Sequence, residues 1–152
     1  MEEWNETYVS PEVSELLAKH GFDWVCTAYY DGADESIYQH APCKNSDLMF
    51  GLTLPTHQMA IAWFRKKYGL IILPNYAFPT DIESFPSNPK WSYRIVSAKD
   101  TSIYSYSKNF DEPEAAIEDA FYTCFLWIEA IEKSENEKKT ETVFEEPVSN
   151  NG

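Results

Sequence analysis

A helix that runs directly into a buried strand is the strongest fold signal in this chain, and it lies at residues 52–73 (LTLPTHQMAIAWFRKKYGLIIL). Thr53 or Thr56 can accept hydrogen bonds from the free N–H groups of the first helical turn. Apolar residues then recur at the spacing of one helix face, and Gly69 can adopt the left-handed conformation that ends a helix. The all-apolar run 70–73 follows at once, which is typical of a strand inside a core. We therefore expect that strand to lie beside the helix that precedes it.

A second pattern, at residues 91–107, predicts a β-hairpin. Residues 91–97 (WSYRIVS) alternate between two faces, residues 98–101 provide a turn, and residues 102–107 return as a second strand. Large apolar side chains share one of the two faces, so we expect that face to lie against the core.

The clearest helix start follows the hairpin. Asp111 is the predicted cap, Pro113 suits the first turn, and Glu114 can reach back to the N–H of the cap residue. Apolar residues then continue at helical spacing as far as Ile131, on more than one face. We therefore predict a helix over 111–132 that is covered on two sides.

The remaining segments are shorter or less regular. A predicted helix over 11–20 begins with a Ser-Pro pair, and residues 22–30 are rich in aromatic and β-branched side chains, which favours a strand. Residues 33–52 have no clear period, so we interpret them as an ordered loop with a short strand near 36–40. Residues 74–90 contain four prolines and form a long connection.

Together these patterns predict a single α+β domain over residues 10–132. Its strands form a small, mainly antiparallel sheet and lie at 70–73, 91–97, 102–107 and, as a candidate fourth, 23–30. Two main helices and one short helix cover this sheet, over 54–68, 111–132 and 11–20. Residues 1–9 are an acidic arm, and residues 133–152 are predicted to be a disordered tail because they are acidic and lack a hydrophobic period.

The formal net charge of −13 among 152 residues is unevenly distributed. Residues 1–35 carry nine acidic side chains and one Lys, residues 36–128 nine acidic and eight basic side chains, and residues 129–152 seven acidic side chains and three Lys. Phosphates repel such acidic ends, so we expect no direct binding to nucleic acid. A basic partner or plain solubility would account for the charge.

Cysteine usage and the lack of long apolar runs indicate the compartment. Cys26, Cys43 and Cys124 are odd in number and have no paired spacing, so we expect a reducing compartment and no disulfide framework. The N-terminus has no signal-peptide pattern, and no stretch approaches the ~18 apolar residues of a membrane span. We therefore expect a cytoplasmic protein that does not act at a membrane.

Three of these segments carry a resemblance to known proteins. Residues 60–73 (AIAWFRKKYGLIIL), the aromatic hairpin and residues 110–120 (FDEPEAAIEDA) together resemble a group of small uncharacterised phage and prophage proteins of gut bacteria. The resemblance implies a mobile-element origin and no particular activity. The hairpin and last helix are also similar to the antitoxin half of HicB-type pairs, although the usual loop glycines and a DNA-binding tail are missing here.

His40, Cys43 and His57 are the only cluster in sequence that could bind a metal ion. A His-x-x-Cys spacing can place two ligands on one ion, but a structural zinc site needs four and no second close pair is present. A hydrolase that uses Cys43 or Cys26 as nucleophile with His57 as base is a second interpretation of the same residues. A loop His and a buried thiol are the commoner explanation, so we expect neither a metal nor another cofactor.

The aromatic residues exceed what one small sheet can cover, at ten Tyr, nine Phe and five Trp. Tyr and Trp are favoured at interfaces because they bury a large area and keep a polar tip. The binding residues that we predict on this basis are Trp4, Tyr76, Tyr104, Tyr106 and Trp127. The expected occupant is a protein partner or a second copy of the chain in a homodimer.

The sequence therefore supports three functional hypotheses. The favoured one is a non-enzymatic accessory protein of a phage or other mobile element that acts through protein–protein contacts. The second is an acidic mimic of nucleic acid that inhibits a host nuclease or DNA-binding protein, for which one broad acidic face is needed. The third is the small hydrolase built on Cys and His.

Overall fold

The computed structural model describes residues 7–77, 90–105 and 109–144, within which three helices and two antiparallel sheets form an α+β fold. The helices are α1 (Pro11–Lys19), α2 (His57–Tyr68) and α3 (Pro113–Phe144). The strands are β1 (Cys26–Asp31), β2 (Ser36–Cys43), β3 (Gly51–Thr53), β4 (Leu70–Ala77), β5 (Lys90–Ser97) and β6 (Ile103–Ser105). The predicted fold class is confirmed.

The helix-to-strand unit is confirmed in α2 and β4, with two differences in its bounds. α2 begins at His57 and not at residue 54, and β4 continues to Ala77, so residues 74–77 belong to a strand and not to the predicted long connection. Thr56 is the cap of α2, and its hydroxyl accepts a hydrogen bond from the backbone N–H of Met59 at 3.1 Å. Gly69 adopts a left-handed conformation, with φ of 67°, and its N–H donates to the carbonyl of Arg65. The chain therefore changes direction at Gly69, and β4 begins at the next residue.

The predicted hairpin is confirmed in the sheet with strand order β4-β5-β6. β5 pairs with β4 along its whole length, from Leu70 opposite Ser97 to Ala77 opposite Lys90, and with β6 on its other side. β6 begins at Ile103, one residue later than predicted, and is described as far as Ser105, since residues 106–107 lie outside the described residues.

The expectation of one sheet is wrong, because β1 belongs to a separate sheet with strand order β2-β1-β3. Its partners come mainly from residues 33–52, where we expected a loop with a short strand near 36–40. That strand is confirmed as part of β2, whereas β3 was not predicted. Tyr29 stacks on Tyr38 across the strands with ring centroids 5.1 Å apart, and Tyr30 lies opposite Ile37. Most of β2 is exposed on both faces, so its sequence lacks the alternation that identifies a half-buried strand.

The core lies where α2 and α3 meet the β4-β5-β6 sheet. Phe64 of α2 is fully buried, and its ring centroid lies 5.5 Å from Phe121 and 5.1 Å from Phe125, both on α3. On the sheet side, Tyr93 of β5 is buried and its hydroxyl reaches Asp119 at 2.8 Å and Thr123 at 2.7 Å on α3. Stacked rings and a satisfied buried hydroxyl thus fix α3 against both elements.

The helix α3 continues to Phe144, well past the predicted end at residue 132. The expectation of disorder therefore fails over 133–144, whereas residues 145–152 lie outside the described residues. Residues 129–140 are exposed, so this half of the helix extends from the body without an apolar face. Oppositely charged residues four apart, such as Glu129 with Lys133, stabilise a helix of this kind, and hydrophobic periodicity cannot detect it.

The chain before α1 is tied to the start of α2. The N–H of Val9 donates to the carbonyl of Pro55, and the N–H of His57 donates to the carbonyl of Thr7. Val9 itself is buried. The predicted acidic arm is therefore docked on the body at residues 7–9, and residues 1–6 lie outside the described part of the chain.

Replacement of Phe64 by Ala should lower the free energy of unfolding by about 3–5 kcal/mol, because the ring is enclosed by three other aromatic rings. Leu126→Ala on α3 is the matched control, since Leu126 is 68% exposed and its loss should cost less than about 0.5 kcal/mol. Urea unfolding followed by circular dichroism measures both. Equal losses in the two variants would contradict the arrangement of the core.

Candidate functional site

The structure separates His57 from the predicted metal cluster. The Nδ1 atom of His57 lies 2.8 Å from the Thr7 hydroxyl, and its Nε2 atom lies 2.9 Å from a carboxylate oxygen of Glu118. His40 is exposed on β2 and has a left-handed φ of 62°. Both nitrogens of His57 are thus engaged by partners other than His40 and Cys43. Within residues 7–77, 90–105 and 109–144, no three His, Cys, Asp or Glu side chains are grouped to hold a metal ion.

Glu118 is the centre of a partly buried polar network that the sequence patterns did not predict. Besides His57, its carboxylate accepts hydrogen bonds from the backbone N–H and the hydroxyl of Ser10, each at 2.9 Å. The network connects the cap of α1, the first residue of α2 and the first turns of α3. Because the Ser10 hydroxyl donates to the carboxylate and not to the imidazole, this is not a nucleophile–base pair, and we assign it a structural role.

The cysteines do not provide an activated thiolate. Burial raises the pKa of the Cys26 thiol to about 11 and that of the Cys124 thiol to about 12. Burial also raises the pKa of the half-buried Cys43. A nucleophilic cysteine requires the opposite shift, so these surroundings do not support the hydrolase hypothesis.

The predicted binding residues divide between several parts of the fold. Tyr76 packs edge-on against Trp91 with ring centroids 5.1 Å apart, which places it at the end of the β4-β5 pair. Tyr104 lies in β6, whereas Trp4 and Tyr106 lie outside the described residues. Trp127, which was predicted as a binding residue, is half-buried on α3 and lines a cavity.

This cavity, which we call the exit cavity, has a volume of about 380 Å³ and lies where α3 leaves the body. Aromatic side chains from two helices and aliphatic side chains line its interior: Tyr68, Leu70, Trp127, Ile128 and Ile131. Three carboxylates and one ammonium group lie around it: Asp100, Glu132, Glu135 and Lys99. It thus combines an apolar interior with a surplus of negative charge.

Two observations define the charge at the exit cavity. The carboxylate of Asp100 accepts hydrogen bonds from the Ser102 hydroxyl at 2.6 Å and the Ser102 N–H at 3.0 Å, and these bonds lower its pKa. Burial, and secondarily the charge of Glu132, raises the pKa of the Tyr68 hydroxyl. Asp100 is therefore an anion at neutral pH, and Glu132 acts on an aromatic wall of the cavity.

A shallower groove of about 810 Å³ lies between α1 and the exposed half of α3. His20 is buried there, stacks on Phe125 and has its Nε2 atom 3.6 Å from a carboxylate oxygen of Glu129. Three carboxylates (Glu129, Glu132 and Glu137) and two ammonium groups (Lys19 and Lys133) line this groove, so its excess of negative charge is smaller than that of the exit cavity. The exit cavity is the better binding site because it is more enclosed and has aromatic walls.

Of the carboxylates of the exit cavity, Glu135 was missed because the predicted helix ended at residue 132, and Glu132 was the last residue of that helix. Ile128, Ile131, Glu132 and Glu135 follow one another at the spacing of a single helix face, so a signal was present in the sequence. Tyr68 and Asp100 reach the cavity from α2 and from the turn after β5, and only the tertiary structure brings these segments together.

Comparison with protein-family models, with curated proteins and with solved structures gives no match to this chain. The resemblance to phage proteins and its implied origin therefore stay predictions from the sequence. In the part of the chain that the structure describes, no helix has the length and apolar character to cross a bilayer.

Iodoacetamide at pH 8 should modify native protein mainly at Cys43, because Cys26 and Cys124 are buried and their raised pKa values keep them protonated. Intact-mass spectrometry should show one adduct on the native protein and three after denaturation. Rapid modification of Cys26 below pH 7 would reveal a thiolate and would restore the hydrolase hypothesis.

Replacement of Glu118 by Ala should destabilise the protein by about 2 kcal/mol, because it removes the acceptor for Ser10 and the partner of the buried His57. The control is Glu114→Ala in the first turn of the same helix, for which we expect less than about 1 kcal/mol. Thermal unfolding of both variants measures the difference. If Glu118→Ala unfolds like the wild type, the network does not hold the three helices together.

Proposed function

We propose that this protein is a non-enzymatic interaction module that binds a basic segment of a partner protein at the exit cavity. The observation that carries the proposal is the combination, in one enclosed site, of aromatic walls and a carboxylate rim. A Lys or Arg side chain matches both features, because it has an apolar stem and a cationic head.

In the proposed complex, each part of the cavity has its own role. The stem of the basic side chain would lie against Trp127 and Ile131, and the charged group would face Glu132 and Asp100. A cation close to an indole or phenol ring is stabilised further by its electrostatic attraction to the negative face of that ring. The same residues would be poorly suited to an anionic ligand, because its charge would meet the carboxylates first.

The net charge of −13 supports a basic partner in preference to a second copy. Two copies that met at this surface would bring two sets of carboxylates together, and like charges in an interface are unfavourable.

The nucleic-acid mimic is supported less well. Exposed glutamates of α3 alternate with lysines, as in Glu129 with Lys133 and Glu135 with Lys139, so this helix does not present a continuous acidic face.

The proposed role is that of an accessory protein, which agrees with the mobile-element origin implied by the resemblance of residues 60–73 and 110–120 to phage proteins. That origin is a separate proposal and does not affect the chemistry of the cavity. The binding site can be tested without knowledge of the natural partner.

The peptide acetyl-Gly-Ala-Lys-Ala-Gly-amide should bind with a dissociation constant of about 1 mM, since a single side chain supplies only about 4 kcal/mol. Binding should shift the indole N–H resonance of Trp127 in the NMR spectrum. The same peptide with norleucine in place of Lys, which keeps the stem and loses the charge, should bind at least about fivefold more weakly.

The double variant E132Q/E135Q should weaken binding of the Lys peptide about fivefold, because two charged partners are removed from the rim. The control E129Q/E137Q removes two charges from the same helix on the side of the α1 groove and should leave binding unchanged. Equal binding of the Lys and norleucine peptides, or equal loss in the two double variants, would refute the proposed site.

A further inference from the structure

Two consecutive large apolar side chains are exposed in the loop before β3, beside the turn between β1 and β2. Met49 is 86% exposed and Phe50 is 74% exposed. We call residues 48–51 the apolar tip. Scattered exposed apolar residues are normal in proteins, but an adjacent pair with this degree of exposure is a feature that binding would explain.

Hydrogen bonds hold the apolar tip in position. The carbonyl of Phe50 accepts from the N–H of Gly32 in the turn between β1 and β2, at 3.1 Å. Behind the tip, Asn45 accepts from the N–H of Thr53 at 2.8 Å and donates to the carbonyl of Phe22 at 2.8 Å. The exposed pair is therefore presented by a fixed loop, and little conformational entropy is lost when such a loop binds.

Four carboxylates lie in or beside the two turns that adjoin the apolar tip, and Asp31 is paired with Gly51 of the tip across the strands. They are Asp31, Asp34 and Glu35 at the turn between β1 and β2, and Asp47 in the 3₁₀ turn that precedes the tip. The carboxylate of Asp34 accepts from the Tyr38 hydroxyl and from the N–H of Ser36, and the bond from Tyr38 is the main cause of its lowered pKa. Lys44 is the basic residue of this region, so the surroundings of the tip have a net negative charge.

We infer that the apolar tip is an anchor that inserts Met49 and Phe50 into an apolar pocket of a partner protein, with Lys or Arg side chains around that pocket. Phe and Met are enriched at protein interfaces relative to the rest of the surface, because one presents a large flat ring and the other a flexible thioether. The adjacent carboxylates would form the polar rim and select a basic partner.

The charges distinguish this partner from two other occupants. Insertion into a bilayer would bring the carboxylates against the negative surface of anionic lipids, which is unfavourable. Insertion into the exit cavity of a second copy would bring them against Asp100, Glu132 and Glu135. The inference uses none of the residues of the exit cavity, so it goes beyond the proposed function and can succeed or fail independently.

The chain has three methionines, Met1, Met49 and Met59, so methyl-labelled methionine provides a direct test by NMR. The probes are a short peptide of alternating Leu and Lys, the same peptide with Glu in place of Lys, and vesicles of phosphatidylcholine with or without phosphatidylglycerol. We expect the Leu-Lys peptide to shift the Met49 methyl resonance, and we expect no shift from the Leu-Glu peptide or from either vesicle. Met59 packs beside the Cys26 thiol and serves as the internal reference.

Phe50→Ser should weaken binding of the Leu-Lys peptide about fivefold or more, as measured at the Met49 methyl. Ile103→Ser is the matched control, because Ile103 is 63% exposed on β6, and it should leave the affinity unchanged. Urea unfolding verifies that both variants fold, since neither side chain is part of the core.

Trp127→Leu distinguishes this site from the exit cavity, because it should leave the Met49 shift intact even if the peptide also enters the cavity. The inference is overturned by a Met49 shift of equal size with the Leu-Glu peptide or with vesicles. It is also overturned if the Leu-Lys peptide produces no shift, if Phe50→Ser binds like the wild type, or if Trp127→Leu abolishes the shift.

Discussion

The contact between α2 and α3 through Phe64, Phe121 and Phe125 is the interaction on which the rest of the structure depends. It fixes the first half of α3 against α2, and β4 follows α2 after a single left-handed residue. The β4-β5-β6 sheet is thereby placed against the same helix. The second half of α3, which is exposed, extends beyond this packed region, and the exit cavity lies at the junction.

Polar groups in the interior and at its edge add direction to this packing. Apolar contacts are non-directional, whereas a carboxylate that accepts several hydrogen bonds holds its partners in one arrangement. Glu118 connects α3 to the caps of the other two helices, and the Tyr93 hydroxyl connects the same face of α3 to β5. The histidine that looked like a metal ligand in the sequence is therefore a part of the framework.

The two surfaces that we propose for binding share one chemical character. At the exit cavity and at the apolar tip, large apolar side chains lie beside carboxylates. Part of the acidic charge of the sequence therefore lies next to the apolar side chains of the two proposed sites. A basic protein partner would suit both proposed sites, and one partner that bound both would gain affinity from two weak contacts.

Local patterns in the sequence predicted the α2–β4 unit and the hairpin, through the Thr56 cap, the left-handed Gly69 and the hydrophobic period. The predicted short strand near 36–40 is part of β2, which continues to Cys43. The predicted start of α3 was two residues too early, because the helix begins at Pro113 and the carboxylate of the predicted cap Asp111 accepts a hydrogen bond from Lys90. The sequence did not predict β3 or the exposed half of α3, because three residues are too few to show a period and an exposed helix has no apolar face.

Among the residues of the exit cavity, the sequence identified Trp127 as a binding residue, because the preference of Trp for interfaces depends on the residue type alone. Only the tertiary structure decided that Tyr68, Asp100 and Glu132 meet beside it, because these residues are distant in the chain and the packing of α2, α3 and the sheet brings them together.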